Sequence, residues 1–214
     1  LLSDKKTIDA CVNTLEDLTL DQYTKIRIGY AARKAKKNLI DYDDMQSMLY
    51  LWLVKWSKST NPQEVELCNG VRNYCQAMYT DFFIDEAQDV SKIQFAIIRA
   101  IVTDPNDKNK LIRNLVFIGD DDQCIYTWRG SDPSIILSIG PMFNMQTFVL
   151  STNYRCKSEI VDYATTGIKC NSSRYQKSMS AHVSGGSVKI LQSDKEDLCS
   201  LSSLALDHIK YWLS

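Results

Sequence analysis

The chain has 214 residues, is 44% hydrophobic and 24% charged, and carries a formal net charge of −1. That size suits one substantial domain, or one domain with part of a second. The balanced charge excludes recognition of phosphate polymers through overall charge, so any such contact has to be built locally. Cysteines fall at positions 11, 68, 75, 124, 156, 170 and 199, with no Cys-x-x-Cys pair, and the histidines are His182 and His208. An odd, irregular set of this kind argues against a disulfide framework or a zinc site and for reduced thiols in the cytoplasm. No apolar run reaches the length of a membrane span, and the start has no signal-peptide pattern.

Residues 4 to about 56 read as helical. Ile8, Cys11, Leu15, Leu18, Tyr23, Ile26 and Tyr30 recur at helical spacing. Arg33, Lys34, Lys36 and Lys37 form a basic cluster that suits a helix C-terminus; contact with DNA phosphates is the sharper reading. Asp41, Asp43 and Asp44 then introduce an apolar helix from Met45 to about Trp56, with Leu49, Trp52, Leu53 and Trp56 along one side. The chain starts at Leu1 inside helix-like sequence, as a fragment of a longer protein would.

Residues 57–64 read as a loop, and Val65 to Met78 as a short helix. Phe82-Phe83-Ile84 reads as a strand buried on both faces. Ser91 to Val102 has a helical apolar face of Ile93, Ile97, Ile98 and Ile101, residues 103–110 read as a surface loop, and Leu115 to Ile118 as a second buried strand. Strand, helix and strand in this order predict a βαβ unit, hence an α/β fold with a parallel sheet. Further expected elements are a helix at Ser134–Ile139, a strand at Thr147–Leu150, a helix at Lys157–Ile168, a turn at Gly185-Gly186, a strand at Val188–Leu191 and a helix over 195–213.

Three stretches carry chemistry. The first strand stops at Asp85 and Glu86, and the carboxyl end of such a strand is where open α/β sheets bind ligands. An aspartate there suits Mg²⁺, which prefers hard oxygen ligands, and a neighbouring glutamate can activate water. Two solvated acids ending a strand are the plainer alternative. The second stretch, Gly119 to Gly130, follows a tight glycine turn with Gln123, able to sense a phosphate or an attacking water, and then with Tyr126, Trp128 and Arg129. Trp128 could pack inside; together with Arg129 and Tyr126 it makes a base-stacking platform. The third stretch is Asn153-Tyr154-Arg155.

Together these stretches resemble motifs II, III and IV of the UvrD/PcrA/Rep group of superfamily 1 helicases. Leu39 to Met45 is also similar to the segment that precedes motif II in that group. The resemblance spans about residues 30–190, and its middle stretch is the most specific. It implies a RecA-like P-loop NTPase sheet flanked by helices, here incomplete. Residues 1–40 would be the end of an accessory helical domain, 41–155 the back half of the first RecA-like domain, and 156–214 the start of the second. Position by position, it implies that Asp85 holds Mg²⁺, Glu86 activates water, Gln123 reads the γ-phosphate of ATP, and Gln88 links the nucleotide and DNA sites. Tyr126, Trp128 and Arg129 would contact single-stranded DNA, Tyr154 would stack on adenine, and Arg155 would reach the γ-phosphate. An arginine so placed is worth about 10³–10⁵ in rate in nucleotide hydrolases.

The resemblance thus implies a segment of an ATP-dependent 3′-to-5′ helicase acting on single-stranded DNA and duplex junctions, with DNA repair or replication proteins as partners. Ala87 and Cys124 depart mildly from the group's pattern. No Gly-x-x-x-x-Gly-Lys-[Ser/Thr] occurs in the chain. The phosphate-cradling loop is therefore not among these residues, and the 214-residue chain is expected to be idle as an ATPase. Two other readings compete: a non-hydrolysing single-stranded-DNA-binding module, and a metal-dependent nuclease using Asp85, Glu86 and Asp120 to Asp122.

Overall fold

The computed structural model describes residues 19–190 and 198–213. The expected stripe of Ile8, Cys11, Leu15 and Leu18 lies outside them. Helix α1, Leu20–Lys36, starts at a capping box in which the Thr19 side chain accepts from the Gln22 N–H at 3.3 Å and Gln22 Oε1 accepts from the Thr19 N–H at 2.9 Å. The helical run expected to reach residue 56 breaks after Lys36, where Asn38 takes a left-handed φ of 51°. Helix α2, Tyr42–Tyr50, begins afresh because Asp41 and Asp44 cap each other's backbone N–H groups. Lys34 bridges the break, its Nζ lying 2.6 Å from both Asp41 Oδ2 and Asp44 Oδ2 and above the Tyr30 ring. The Lys34 ammonium holds the Asp41 carboxyl well below the usual carboxylate range. Lys34 is therefore spent on a clasp between helices, so the phosphate-contact reading no longer applies to that member of the basic cluster.

A π-helical turn over Leu51–Lys55 and a 3₁₀ turn over Trp56–Lys58 follow, and Leu53 is fully buried. Helix α3, Pro62–Met78, starts earlier than expected because Asn61 caps the Gln63 N–H and Pro62 occupies the first turn. Buried Arg72 on α3 donates Nη2 to Leu53 O at 3.3 Å and Nε to Ala100 O at 3.0 Å, satisfying carbonyls on two neighbouring elements.

Next come β1, Asp81–Ile84, α4, Lys92–Val102, β2, Thr103–Asp104, β3, Asp107–Leu111, and β4, Asn114–Phe117. Strands β1 and β4 pair in parallel, Phe82 opposite Leu115 and Ile84 opposite Phe117, as the βαβ reading required. Ser91 caps α4 through a second capping box, this one with Gln94. The segment 103–110, expected as a loop, is instead a hairpin of β2 and β3. Its turn is set by Asp104, whose Oδ1 accepts from the Asn106 N–H at 2.9 Å. A polar strand with one apolar member, Leu111, shows no alternation for a sequence reading to detect.

Helix α5, Ser134–Phe143, runs past the expected end at Ile139 through Gly140-Pro141 and stops at Asn144 in the left-handed region. With α4 it covers one face of the sheet: Val102, Leu115, Ile139 and Phe143 are buried together, and Phe82, Ile84, Phe95 and Phe117 pack against them. The opposite face is open, with Phe83 67% exposed and Val116 and Ile118 also on the surface. This corrects the expectation of a strand buried on both faces. An apolar triplet looks alike whether one or both of its faces are covered.

Residues 147–150 form no ladder and are exposed; the pairing comes just after them, where β5, Thr152–Asn153, joins β6, Ser180–Ala181, in parallel. Helix α6, Ser158–Ile168, lies between these two strands, and α7, Leu198–Leu213, closes the described chain. Residues 188–190 carry no strand, and Leu191 lies outside the described residues. Among the described residues, no helix is long and apolar enough to cross a membrane.

Candidate functional site

The site grows from the carboxyl ends of β1 and β4. The parallel ladder continues one step beyond the strands: the Ile118 N–H donates to Ile84 O at 2.8 Å, and the Ala87 N–H to Ile118 O at 2.9 Å. Between these two bonds the chain turns sharply through Asp85 and Glu86. Glu86 adopts φ 48° and ψ 44°, a left-handed conformation costing an ordinary residue roughly 1–2 kcal/mol. Strain of this kind persists where the surroundings over-determine it, and it concentrates at functional sites.

The backbone of this turn is held by the Ala87 N–H on Ile118 O and the Asp89 N–H on Glu86 O, both at 2.9 Å, and the Glu86 side chain is held by Gln88. The Gln88 side chain is 2% exposed, and its two ends are both engaged. Nε2 donates to Glu86 Oε2 at 2.6 Å, and Oε1 accepts from the Asp120 N–H at 3.0 Å. One buried amide therefore fixes the exposed glutamate and fastens it to the turn after β4. Gly119 makes room for the bridge: a Cβ there would stand 2.5 Å from Gln88 Oε1 and 2.9 Å from Ala87 N. Replacing Gln88 by leucine leaves the Asp120 N–H without its acceptor, and a loss of about 1–3 kcal/mol in urea-denaturation stability is expected. An unchanged midpoint would show that the bridge contributes nothing.

Asp85 is exposed, and its Oδ1 accepts from the Glu86 N–H at 2.9 Å. A single hard carboxylate beside an acid is the kind of donor Mg²⁺ takes up along with waters and phosphate oxygens. Gln123 lies on the same rim. It is exposed, and its Nε2 donates to Asp120 Oδ2 at 2.7 Å. Glu86, Gln88, Asp120 and Gln123 thus form one continuous hydrogen-bonded series.

The aromatic loop is tied to the same elements from the other side. Ser131 Oγ donates to Asp89 O at 2.8 Å, the Asp132 N–H donates to Val90 O at 3.1 Å, and Ser91 and Ser131 form an isolated bridge. A 3₁₀ turn over Thr127–Arg129, ended by Gly130 at φ 99°, pushes the aromatic residues outward. Trp128 is 79% exposed and stands edge-on to Tyr126, their ring centroids 6.3 Å apart. Trp128 is therefore a surface residue, not a core one. Ser131 escaped the sequence reading because a serine anchoring a backbone carbonyl leaves no pattern.

Tyr154 and Arg155 are set by separate bonds. Asn153 Oδ1 accepts from the N–H groups of Arg155 at 2.9 Å and Cys156 at 2.8 Å, making a tight turn that presents both side chains to solvent. The Tyr154 ring lies 4.8 Å from the His182 ring, tilted by 39°. A link to the Gln123 turn comes from further along. Arg174 grips Asp122, the Tyr175 N–H donates to Asp121 Oδ2 at 2.8 Å, and Lys177 Nζ sits among Asp120, Asp121 and Asp122. The three carboxylates approach one another closely enough to hold a metal ion, but the ammonium stands at their centre. That arrangement removes the main support for the nuclease reading. Arg174 and Lys177 were not foreseen, since lysine and arginine beyond a helix end have solvated neighbours by default.

The model of the UvrD/REP helicase N-terminal domain matches residues 3–144. The chain belongs to the UvrD/REP helicase family. Among the relatives of this family member, a putative ATP-dependent DNA helicase, YjcD, of Bacillus subtilis is 31% identical over 168 residues, 78% of this chain and 20% of the relative. A probable DNA helicase II homolog of Mycoplasma capricolum is 32% identical over 158 residues, 73% of this chain and 19% of the relative. The ATP-dependent DNA helicase PcrA of Staphylococcus epidermidis is 28% identical over 187 residues, 87% of this chain and 23% of the relative. A match over that share of this UvrD/REP family chain necessarily takes in Tyr154 and Arg155, which lie beyond the family model. The chain spans about one fifth of the length of these curated relatives.

Proposed function

We propose that this chain is the segment of an ATP-dependent DNA helicase that couples the hydrolytic centre to single-stranded DNA, moving 3′ to 5′. The observation that carries the reading is the Gln88 bridge. It fixes the Glu86 carboxylate against the turn that bears Gln123, while Asp89 and Val90, the next residues, anchor the loop that bears Trp128.

In this reading ATP with Mg²⁺ occupies the rim of the β1–β4 sheet. Asp85 would supply an oxygen ligand to the ion, whose charge would stabilise the phosphates. Glu86 takes a proton from the attacking water, and its fixed carboxylate spares the reorganisation a free glutamate would need. Gln123, whose Nε2 is held by Asp120, would meet the terminal phosphate, and Arg155 would neutralise charge that builds there. Tyr154, backed by His182, offers its outer face to adenine. Tyr126, Trp128 and Arg129 stack on and neutralise a single strand. A change at Gln123 or Glu86 reaches that loop through Gln88 and the Asp89–Ser131 bond.

Residues 41–155 supply the back half of one RecA-like domain and 156–214 the start of the next, and the phosphate loop comes from elsewhere. The chain alone then binds DNA without hydrolysing ATP. Two assays on the purified chain test this: salt-dependent anisotropy of a fluorescein-labelled oligonucleotide, and phosphate release with ATP, Mg²⁺ and DNA. Binding without turnover is expected. DNA-stimulated hydrolysis that Glu86→Gln abolishes would overturn the division of labour, and no binding at low salt would overturn the DNA surface.

A further inference from the structure

The cluster over the Gly119–Gln123 turn has no place in the scheme above, and its geometry is specific. Arg174 forks onto Asp122, with Nε 3.0 Å from Oδ1 and Nη2 2.5 Å from Oδ2. Lys177 Nζ lies 2.5 Å from Asp120 Oδ1, 2.5 Å from Asp121 Oδ1 and 3.0 Å from Asp122 Oδ2. An ammonium has three donors, and here each finds a different carboxylate. The Arg174, Asp121 and Asp122 side chains are 8%, 4% and 8% exposed and that of Lys177 is 12% exposed, whereas Asp120 rises to 38%. The cluster is thus buried at its base and open at Asp120.

Burying charge is costly, and an ion pair of this kind is a weak source of net stability. Its better-attested use is to specify one arrangement. Three consecutive aspartates repel one another, and an internal cation lets their oxygens converge. Asp120 then has one oxygen on Lys177 and the other on Gln123 Nε2, at 2.7 Å. The series runs from a half-buried ammonium to an exposed glutamine in two bonds. Tyr175 pins the segment 174–177 to the fold, its hydroxyl donating to Ile136 O at 3.1 Å.

We propose that Lys177, backed by Arg174, is a positioning residue that aims the Gln123 side chain through Asp120. The proposal rests on the reading of Gln123 as the residue that meets the nucleotide. Lys177 does for this turn what a bound divalent ion would do, without being exchangeable.

The test is nuclear magnetic resonance on the full 214-residue chain labelled with ¹⁵N and ¹³C, with the Gln123 side-chain amide pair assigned through Gln123→Glu. In Lys177→Met that pair is expected to collapse onto the position of a free glutamine, while methyl signals of Val102, Leu115 and Ile139 stay in place. Lys177→Arg is expected to restore it. Asp120→Ala removes the acceptor of the Gln123 amide and leaves Lys177 on Asp121 and Asp122, so it gives the same readout should Lys177→Met fail to fold. An amide pair unmoved in either variant would overturn the proposal. So would a pair that moves only together with the core methyls, which is the signature of a purely structural role. Neither nucleotide nor DNA enters the measurement, so a chain that fails to bind oligonucleotide would sink the functional reading and leave this result standing.

Discussion

Trp128→Ala is expected to weaken binding of a single-stranded oligonucleotide by about 5- to 150-fold. The figure follows from roughly 1–3 kcal/mol per base stacked on an aromatic ring, converted at about 1.4 kcal/mol per decade of affinity. The indole is almost free of the fold, being 79% exposed, so its removal leaves the core intact and thermal stability should hold. Tyr126 supports it edge-on and Gly130 fixes the turn, so the ring is presented at low conformational cost. Salt dependence should persist in the variant, because Arg129 and not the indole releases counterions from phosphate. Fluorescence anisotropy across a salt series reads both quantities. Equal affinity for wild type and Trp128→Ala would remove the stacking platform from the account.

Gly119→Ala is expected to lower stability and to release Glu86 in one step. The added Cβ would meet Gln88 Oε1, Ala87 N and Ile136 Cδ1 at 2.5, 2.9 and 3.0 Å. The first contact is with an amide that both Glu86 and Asp120 hold in place, and the second is backbone, so neither can yield cheaply. Overpacking of this kind costs about 1–3 kcal/mol, and the simplest relief, expelling Gln88 from its pocket, releases Glu86. Urea denaturation followed by circular dichroism should show the loss. A wild-type midpoint would mean that β1 and β4 part easily at this end, contrary to the ladder through Ile118 and Ala87.

Much of this was legible before any coordinates. The parallel pairing of β1 with β4 follows from two short apolar runs separated by a helical period; Asp85 and Glu86 come directly after β1, and Gln123 lies in the 3₁₀ turn that follows β4. The exposed Trp128 was foreseen from its company, since tyrosine, tryptophan and arginine within four positions make a poor core. What escaped depended on contacts between residues far apart in sequence. Lys177 and Arg174 lie more than fifty residues from the aspartates they neutralise. Phe83 is apolar yet exposed, because burial depends on what covers a face and not on the strand's own composition. The β2–β3 hairpin was invisible because its strands are polar and its register is set by one Asx turn. Strand pairing after Leu150 was displaced by a few residues, because the extended stretch 147–150 matches a strand in composition but finds no partner among the described residues.

In the proposed function, the Gln88-held Glu86 activates water for ATP hydrolysis. The most direct measurement exchanges the matching segment of the Staphylococcus epidermidis PcrA for this chain and follows DNA-stimulated phosphate release, with and without Glu86→Gln. Loss of a general base is worth about 10²–10⁴ in rate. The account predicts a drop of that size in the exchanged protein carrying Glu86→Gln, with oligonucleotide affinity unchanged. Turnover at the same rate with glutamine at position 86 would contradict it.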